Sequence, residues 1–362
     1  MFNRKTLFVI GAGAGHDIGV PAGRQLAEDI AQRTRVSIQY GQLQRNTADE
    51  GLALSFFERG DDAAKTNAYA DAFRRIRDGV LLANWIDDFL NIHEGSPEVV
   101  LVGKAAIVRS ILNAERHCKL YVDPSNVYNK LNVAPIRDSW FVKFMQVLGP
   151  GRKVAEVESV LGDVSFITFN YDRCLEYFLR HASQLVYGIE PQHAASLISK
   201  ANIIHPYESV GSLEKVPFGG HDHMRLDYRD LSTTIKTYTE QIEEQEVLYK
   251  MRAAVQEAEC VVFLGFAYHK QNMALLEPPG HERKRKQVYG TAYGMSDSDV
   301  SEVADELGSF FPDQDDEPPT AAFSILPPPV AATLPGLRYN IRIENKLTCS
   351  QLFDYYAKSL AG

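Results

Sequence analysis

The chain has 362 residues, 45% of them hydrophobic, enough to bury a sizeable core as one large domain with an insertion or as two domains. A net charge of −9 argues against general affinity for nucleic acid or an anionic membrane surface, so direct contact with nucleic acid is not expected. Four scattered cysteines (Cys118, Cys174, Cys260 and Cys349) form no C-x-x-C pair, which excludes a zinc ribbon and a disulfide framework and suits a reducing compartment.

The start, Met1 to Lys5, is polar and the apolar run after it is short, so no signal peptide is expected. No run approaches the roughly 20 apolar residues of a membrane span, and the expected location is the cytoplasm. Leu7 to Ile10 suits a strand buried on both faces. Gly11, Gly13 and Gly15 follow at once, and Val20-Pro21 to Ile30 reads as a helix entered through proline. A strand feeding a glycine loop and a helix N-terminus offers unpaired N–H groups and a positive dipole end to an anion, most often a nucleotide pyrophosphate. Tight packing is the other use of such a turn. The dinucleotide fingerprint fails in detail. A G-x-G-x-x-G read from Gly11 meets His16 where its third glycine belongs, and no second strand ends in an acidic residue roughly 20 residues on. A standard dehydrogenase fold is not indicated.

Residues 35–155 carry few strand signals. Val36, Ile38 and Tyr40 alternate briefly, then Leu52 to Phe57 and Ala63 to His93 look helical. In the second piece Tyr69, Phe73, Ile76, Val80, Ala83, Ile86, Phe89 and Leu90 recur at spacings of three and four, a stripe suited to a core or subunit interface. Gly95-Ser96-Pro97 breaks the pattern, which resumes over Val99 to Cys118 and Trp140 to Leu148. The expectation is a helical insertion subdomain over 35–155, set within an α/β domain made of 1–34 and 156–362.

Strand patterns return at Asp163 to Phe169 and lead through Asn170-Tyr171-Asp172 into a helix from Arg173. Asn202 to Ile204 is a short strand ending at His205, and Leu248 to Ala258 is helical. Cys260 to Leu264 is a buried strand closed by Gly265, Gln287 to Tyr293 alternates, and Asp299 to Leu307 is a helix. An acidic, proline-rich irregular loop spans 313–335; Leu337 to Ile343 alternates and Ser350 to Leu360 closes the chain as a helix. His221 and His223 resemble a metal pair but more simply a flexible loop, and His281 to Lys286 is a basic, solvated run.

Strands alternating with helices imply a Rossmann-like, mainly parallel sheet with helices on both faces. Ligands of such sheets sit beyond the carboxyl ends of the strands. The glycine loop, Asn170, Asp172, His205 and Gly265 all fall at such ends. The plainer roles of these side chains are capping of the helix from Arg173 by Asn170 or Asp172, and a hydrogen-bonded core position for His205.

These residues resemble the sirtuin-like (SIR2-like) NAD-binding family, in particular its bacterial antiphage-defence branch that degrades NAD. Gly11-Ala12-Gly13 to Pro21 and Arg24 keep the length, the Gly-Ala-Gly and the proline of the family's first motif. Asn170-Tyr171-Asp172 matches its Asn-x-Asp, with Asp172 to Glu176 like the version in the SIR2-like branch, His205 its catalytic histidine, and Val262 to Phe266 followed by Asn272 its late glycine strand. Trp85 to Leu90 with Val102-Gly103-Lys104, and Tyr289 to Gly294, also look like the defence branch. The chain departs from sirtuins at Gly15, Ala22-Gly23 and Pro206, and it has no four-cysteine zinc module. Hydrolysis of NAD is therefore favoured over deacylation.

The resemblance implies an NAD+ glycohydrolase, with NAD as substrate, that yields nicotinamide and ADP-ribose in antiphage defence. Asn170 would bind ribose hydroxyls and a water, and His205 would act as base. Gly11, Ala12, Gly13, Asp17, Pro21, Arg24, Asp172, Gly265 and Phe266 would hold NAD, with Asp172 on the carboxamide. It also implies a homo-oligomer and, as a partner, a HerA-type ATPase. The alternatives are a catalytically silent NAD- or ADP-ribose-binding regulatory subunit, and an NAD-dependent deacylase or ADP-ribosyltransferase.

Overall fold

Six apolar runs of the chain line up as one sheet in the computed structural model. It describes residues 2–312 and 340–362, apart from 40–41, 45–46, 58–59, 126, 221–225, 238–239, 241–244 and 281–282. The strands are β1 (Thr6–Ile10), β2 (Val164–Thr168), β3 (Ile203–Ile204), β4 (Cys260–Leu264), β5 (Gln287–Thr291) and β6 (Ile341–Glu344). Their order is β3-β2-β1-β4-β5-β6 and every pairing is parallel, the order of a Rossmann-like, doubly wound α/β sheet.

Register is what builds the site. Thr6 to Ile10 pairs residue for residue with Val164 to Thr168 on one side and Cys260 to Leu264 on the other. The three strands therefore end level, so Gly11, Phe169 and Gly265 leave the sheet at one height. On the outer side Ile167 pairs with Ile204, which brings His205 level with Thr168.

Successive side chains of β1 point to opposite faces, and both faces are covered. On one face the rings of Phe2, Phe8, Phe144, Phe166 and Phe353 pack with centroids 5.4–6.2 Å apart, bringing in the helices Trp140–Leu148 and Cys349–Ala361. On the other, Leu7, Val9, Ile167 and Phe263 meet Met251, Val255 and Leu307 from the helices Gln245–Glu257 and Asp297–Phe310. A further core joins the helices Arg24–Arg33, Ala63–Gly79, Ile86–Ile92 and Pro97–His117 to Tyr171, Tyr207 and Tyr228. The helices of 35–155 thus divide. Those up to His117 build mostly this separate core, whereas Trp140–Leu148 packs on the sheet.

Local differences from the sequence expectation have simple causes. The glycine segment winds into a 3-10 turn, Ala12–Ile18, and the first α-helix begins only at Arg24. Gly19 (φ 87°) and Gly23 (φ 53°) adopt left-handed backbone that a continuing helix does not permit. The helix expected over 63–93 is two helices joined by a short turn at Val80–Leu82. Gly79 lets the chain fold back, since a Cβ there would stand 2.8 Å from the Phe89 ring. The stripe is nevertheless buried at Tyr69, Phe73, Ile76, Val80, Ile86, Phe89 and Leu90. A hairpin pairs Ile38–Gln39 with Gln42–Leu43, and a helix not expected from the sequence spans Pro191–Ser199. The loop over 313–335, residues 337–339 of the last alternating run, and the His221–His223 pair lie outside the described residues. No described helix is long and apolar enough to cross a membrane.

Candidate active site

The loops after β1 and β4 are sewn together by glycine. Gly11 N–H donates to Leu264 O and Gly13 N–H to Gly265 O, each at 3.0 Å. A Cβ on Gly11 would lie 2.6 Å from Gly265 O, and one on Gly13 3.0 Å from Gly265 Cα. Gly265 has φ 57°, and a Cβ on it would strike the Gly13–Ala14 backbone. Its N–H donates to Thr291 Oγ1 at 2.8 Å, which ties in β5. The glycines thus serve close packing first, and the N–H groups of Gly11 and Gly13 are already spent on β4. Ala12 and Gly13 stay exposed at the carboxyl edge of the sheet, and no side chain caps the helix beginning at Arg24.

Asn170 follows β2 and turns toward this loop: its Nδ2 donates to Gly11 O at 3.3 Å. Its Oδ1 is buried and has no hydrogen-bond partner among the described residues. Asp172 Oδ1 accepts the Cys174 N–H at 3.0 Å, the first N–H of the helix Cys174–Tyr187, whose N-cap is Arg173. Burial pushes the Asp172 carboxyl up, against the pull of that N–H bond.

His205 closes the group. Its Nδ1 lies 3.2 Å from Asn170 O and its Nε2 2.6 Å from Glu176 Oε1. Burial disfavours a charged imidazole, but the Glu176 carboxylate outweighs it and raises the pKa of His205. Conversely, burial would raise Glu176, and the His205 contact outweighs that and holds it below the usual range. The chain then turns sharply: Glu208 N–H donates back to His205 O at 3.2 Å, and Glu208 sits at φ 62°. A non-glycine residue in left-handed backbone is strained, and such strain gathers at functional sites. Tyr207 OH donates to Asn272 Oδ1 at 2.6 Å, which anchors this turn to the helix Lys270–Leu276.

Gly11, Asn170, His205 and Asp172 therefore form one cluster at the ends of three adjacent strands. Other expected site residues do not join it. Asp17 Oδ2 accepts the Trp140 N–H at 3.2 Å, and its main-chain carbonyl accepts Lys119 Nζ at 2.9 Å. Asp17 caps the helix Trp140–Leu148. The Arg24 side chain is 89% exposed and pairs with Glu28 at 3.3 Å. Phe266 is buried against the rings of Phe169, Phe263 and Tyr268. Pro21 is half-buried in the turn that leads to Gly23.

Two contributors were given no site role from the sequence, although both stand in stretches that look like the defence branch: Glu176 at the end of Asp172 to Glu176, and Asp87 within Trp85 to Leu90. Tyr171 OH lies 3.0 Å from both Asp87 Oδ1 and Lys236 O, within hydrogen-bond reach of either, which fixes the residue between Asn170 and Asp172. Burial pushes the Asp87 carboxyl up to about 6 despite the Tyr171 bond. Beside it the Trp85 ring packs edge-on to His269, with centroids 4.9 Å apart.

A cavity of about 260 Å³ lies at the opposite, amino end of the sheet, lined by Lys5, Glu158, Asp163 and Lys200. Those side chains are spent in the pairs Lys5–Asp163 (3.4 Å) and Lys200–Glu158 (3.5 Å), and the Asn170–His205 cluster lies at the carboxyl ends instead. The four cysteines are buried and unpaired by disulfide, and no described group of three His, Cys, Asp or Glu side chains is placed to hold a metal. No protein-family model matches the chain, and no curated protein sequence matches it either.

Proposed function

We propose that this chain is an NAD+ glycohydrolase that cleaves the nicotinamide–ribose bond and releases nicotinamide and ADP-ribose. The observation that carries the reading is the unbroken contact series Gly11–Asn170–His205–Glu176 across the carboxyl ends of β1, β2 and β3. The residues fit such a substrate. The orphaned Oδ1 of Asn170 is an acceptor suited to a ribose hydroxyl or a water. The uncapped start of the helix at Arg24 suits a pyrophosphate. Asp172, whose carboxyl is pushed up by burial, suits the nicotinamide carboxamide.

In the reaction the C1′–N bond breaks with its electrons leaving on nicotinamide, and a water oxygen bonds to C1′. Asn170 would orient that water, His205 would take its proton, and the cluster would stabilise the oxocarbenium character between. The setting proposed for this chemistry is antiphage defence by NAD depletion, on the strength of the resemblance. One observation favours a second reading, a silent NAD-binding subunit: both ring nitrogens of His205 are already engaged.

The test is chromatography of NAD incubated with the purified chain, alongside binding of NAD by calorimetry. Equimolar nicotinamide and ADP-ribose support the hydrolase. Binding without turnover supports the silent subunit, and the absence of both removes NAD from the site.

A further inference from the structure

His205 makes two contacts, and both have acceptors at the far end. Asn170 O is a carbonyl, 3.2 Å from Nδ1, and an ionised Glu176 oxygen can only accept, 2.6 Å from Nε2. The two contacts are satisfied together in two ways only. Either each ring nitrogen carries a proton, or Glu176 carries one and donates it to Nε2. In both forms the two side chains hold one proton more than a neutral histidine beside a carboxylate. A histidine in that condition can give a proton but cannot take one.

The surroundings point the same way. Glu176 and Arg173 face the pair from the helix, and Asp172 from the loop after β2. Arg173 is turned to Glu115, so its guanidinium does not compete with the imidazole for Glu176. Glu176 Oε2 is buried without a partner among the described residues, so the carboxylate leans on His205 for its compensation.

We propose that Glu176 and His205 act as one proton-carrying pair, with Glu176 the positioning residue that keeps it loaded, so that the pair must release a proton to water before His205 can serve as a base. The inference rests on the glycohydrolase reading for its role in turnover, but not for its existence. A site built this way is held back at low pH and gains activity as the pair unloads.

The experiment is long-range proton–nitrogen NMR of the full chain labelled at histidine nitrogen, with the His205 signals assigned by their loss in His205→Asn. Wild type is expected to show both ring nitrogens of His205 protonated at pH 7, or one shared across to Glu176. Glu176→Gln is expected to show a neutral ring at pH 7, with the titration moved to lower pH, and Glu176→Asp an intermediate position. A wild-type His205 with one protonated nitrogen that titrates like a free histidine overturns the proposal, whatever the variants do. So does a Glu176→Gln titration that matches wild type. In parallel, the rising limb of kcat/KM for nicotinamide release is expected to move to lower pH in Glu176→Gln. Absence of turnover in every protein, with the NMR result intact, contradicts the hydrolase and leaves the pair standing.

Discussion

Arg173 and Glu176 stand one turn apart at the start of the same helix, and each pairs with a group from elsewhere in the chain. Arg173 meets Glu115 of the helix Pro97–His117, with both side chains buried. Glu115 Oε1 accepts the Arg173 N–H and Nε, and Oε2 accepts Nη2 at 2.5 Å and the Gly219 N–H at 2.9 Å. The remaining guanidinium protons go to the carbonyls of Gly211, Val216 and Pro217. Both carboxylate oxygens and the guanidinium are thus engaged, and an arginine does not titrate in a protein. This pair fixes the chain after the His205 turn to two helices. The Glu176–His205 pair is less completely enclosed, with side chains 18% and 13% exposed, leaves one carboxylate oxygen unpartnered among the described residues and contains an imidazole that can titrate. The contrast separates a pair whose hydrogen-bonding groups are completed from one that keeps an open carboxylate oxygen, as the proposed proton-carrying role requires.

The sharpest way to break that contrast is to cut both pairs. Glu115→Ala strands a buried guanidinium and should destabilise the fold by about 3–5 kcal/mol in urea denaturation. Glu176→Gln should cost about 1 kcal/mol or less, since the amide can still donate to the ring. Equal losses would erase the distinction. Gly11→Ala comes next. Its Cβ would meet Gly265 O at 2.6 Å, and the expected cost is about 1–3 kcal/mol, with weaker NAD binding, because the β1 and β4 loops must part.

Stability against pH sharpens the same comparison with a smaller effect. His205 is raised in the fold, so its contribution is complete below the ordinary value of about 6.5 and fades as pH climbs through the folded value. Glu176 is lowered, so its contribution is complete above about 4.3 and fades as pH drops through its folded value. The pair should stabilise most between those two ordinary values and decline on either side. The difference in Tm between wild type and Glu176→Gln, followed from pH 4 to pH 9, should trace that window. Smallest of all, Arg24→Ala should change neither stability nor NAD affinity measurably, because its ion pair with Glu28 is exposed.

Much of this site was visible in the sequence because parallel strands that end level make strand ends into neighbours. The apolar runs at Leu7, Val164 and Cys260 marked three strands, and whatever followed each of them had to meet at the sheet edge. That logic reached Asn170 and His205 without any knowledge of side-chain direction. It failed where direction decides. Asp17 stands in the glycine loop, but its carboxylate turns to Trp140, 123 residues on. Phe266 follows Gly265, yet the left-handed turn sends its ring into the core. Glu176 was legible only as the last residue of the stretch after Asn170 that looks like the defence branch, because nothing local says that a histidine 29 residues later will reach it.

The most direct measurement is the initial rate of nicotinamide release from saturating NAD by wild type and by Asn170→Ala, with calorimetric NAD binding of both. Loss of the Asn170 side chain removes one hydrogen bond to Gly11 O and should leave the fold intact. The expected result is turnover by wild type, a fall of roughly 100-fold or more in the variant, and NAD binding retained by both. Equal rates in the two proteins, or a wild type that neither binds nor cleaves NAD, would contradict the assignment of this cluster as an NAD-cleaving site.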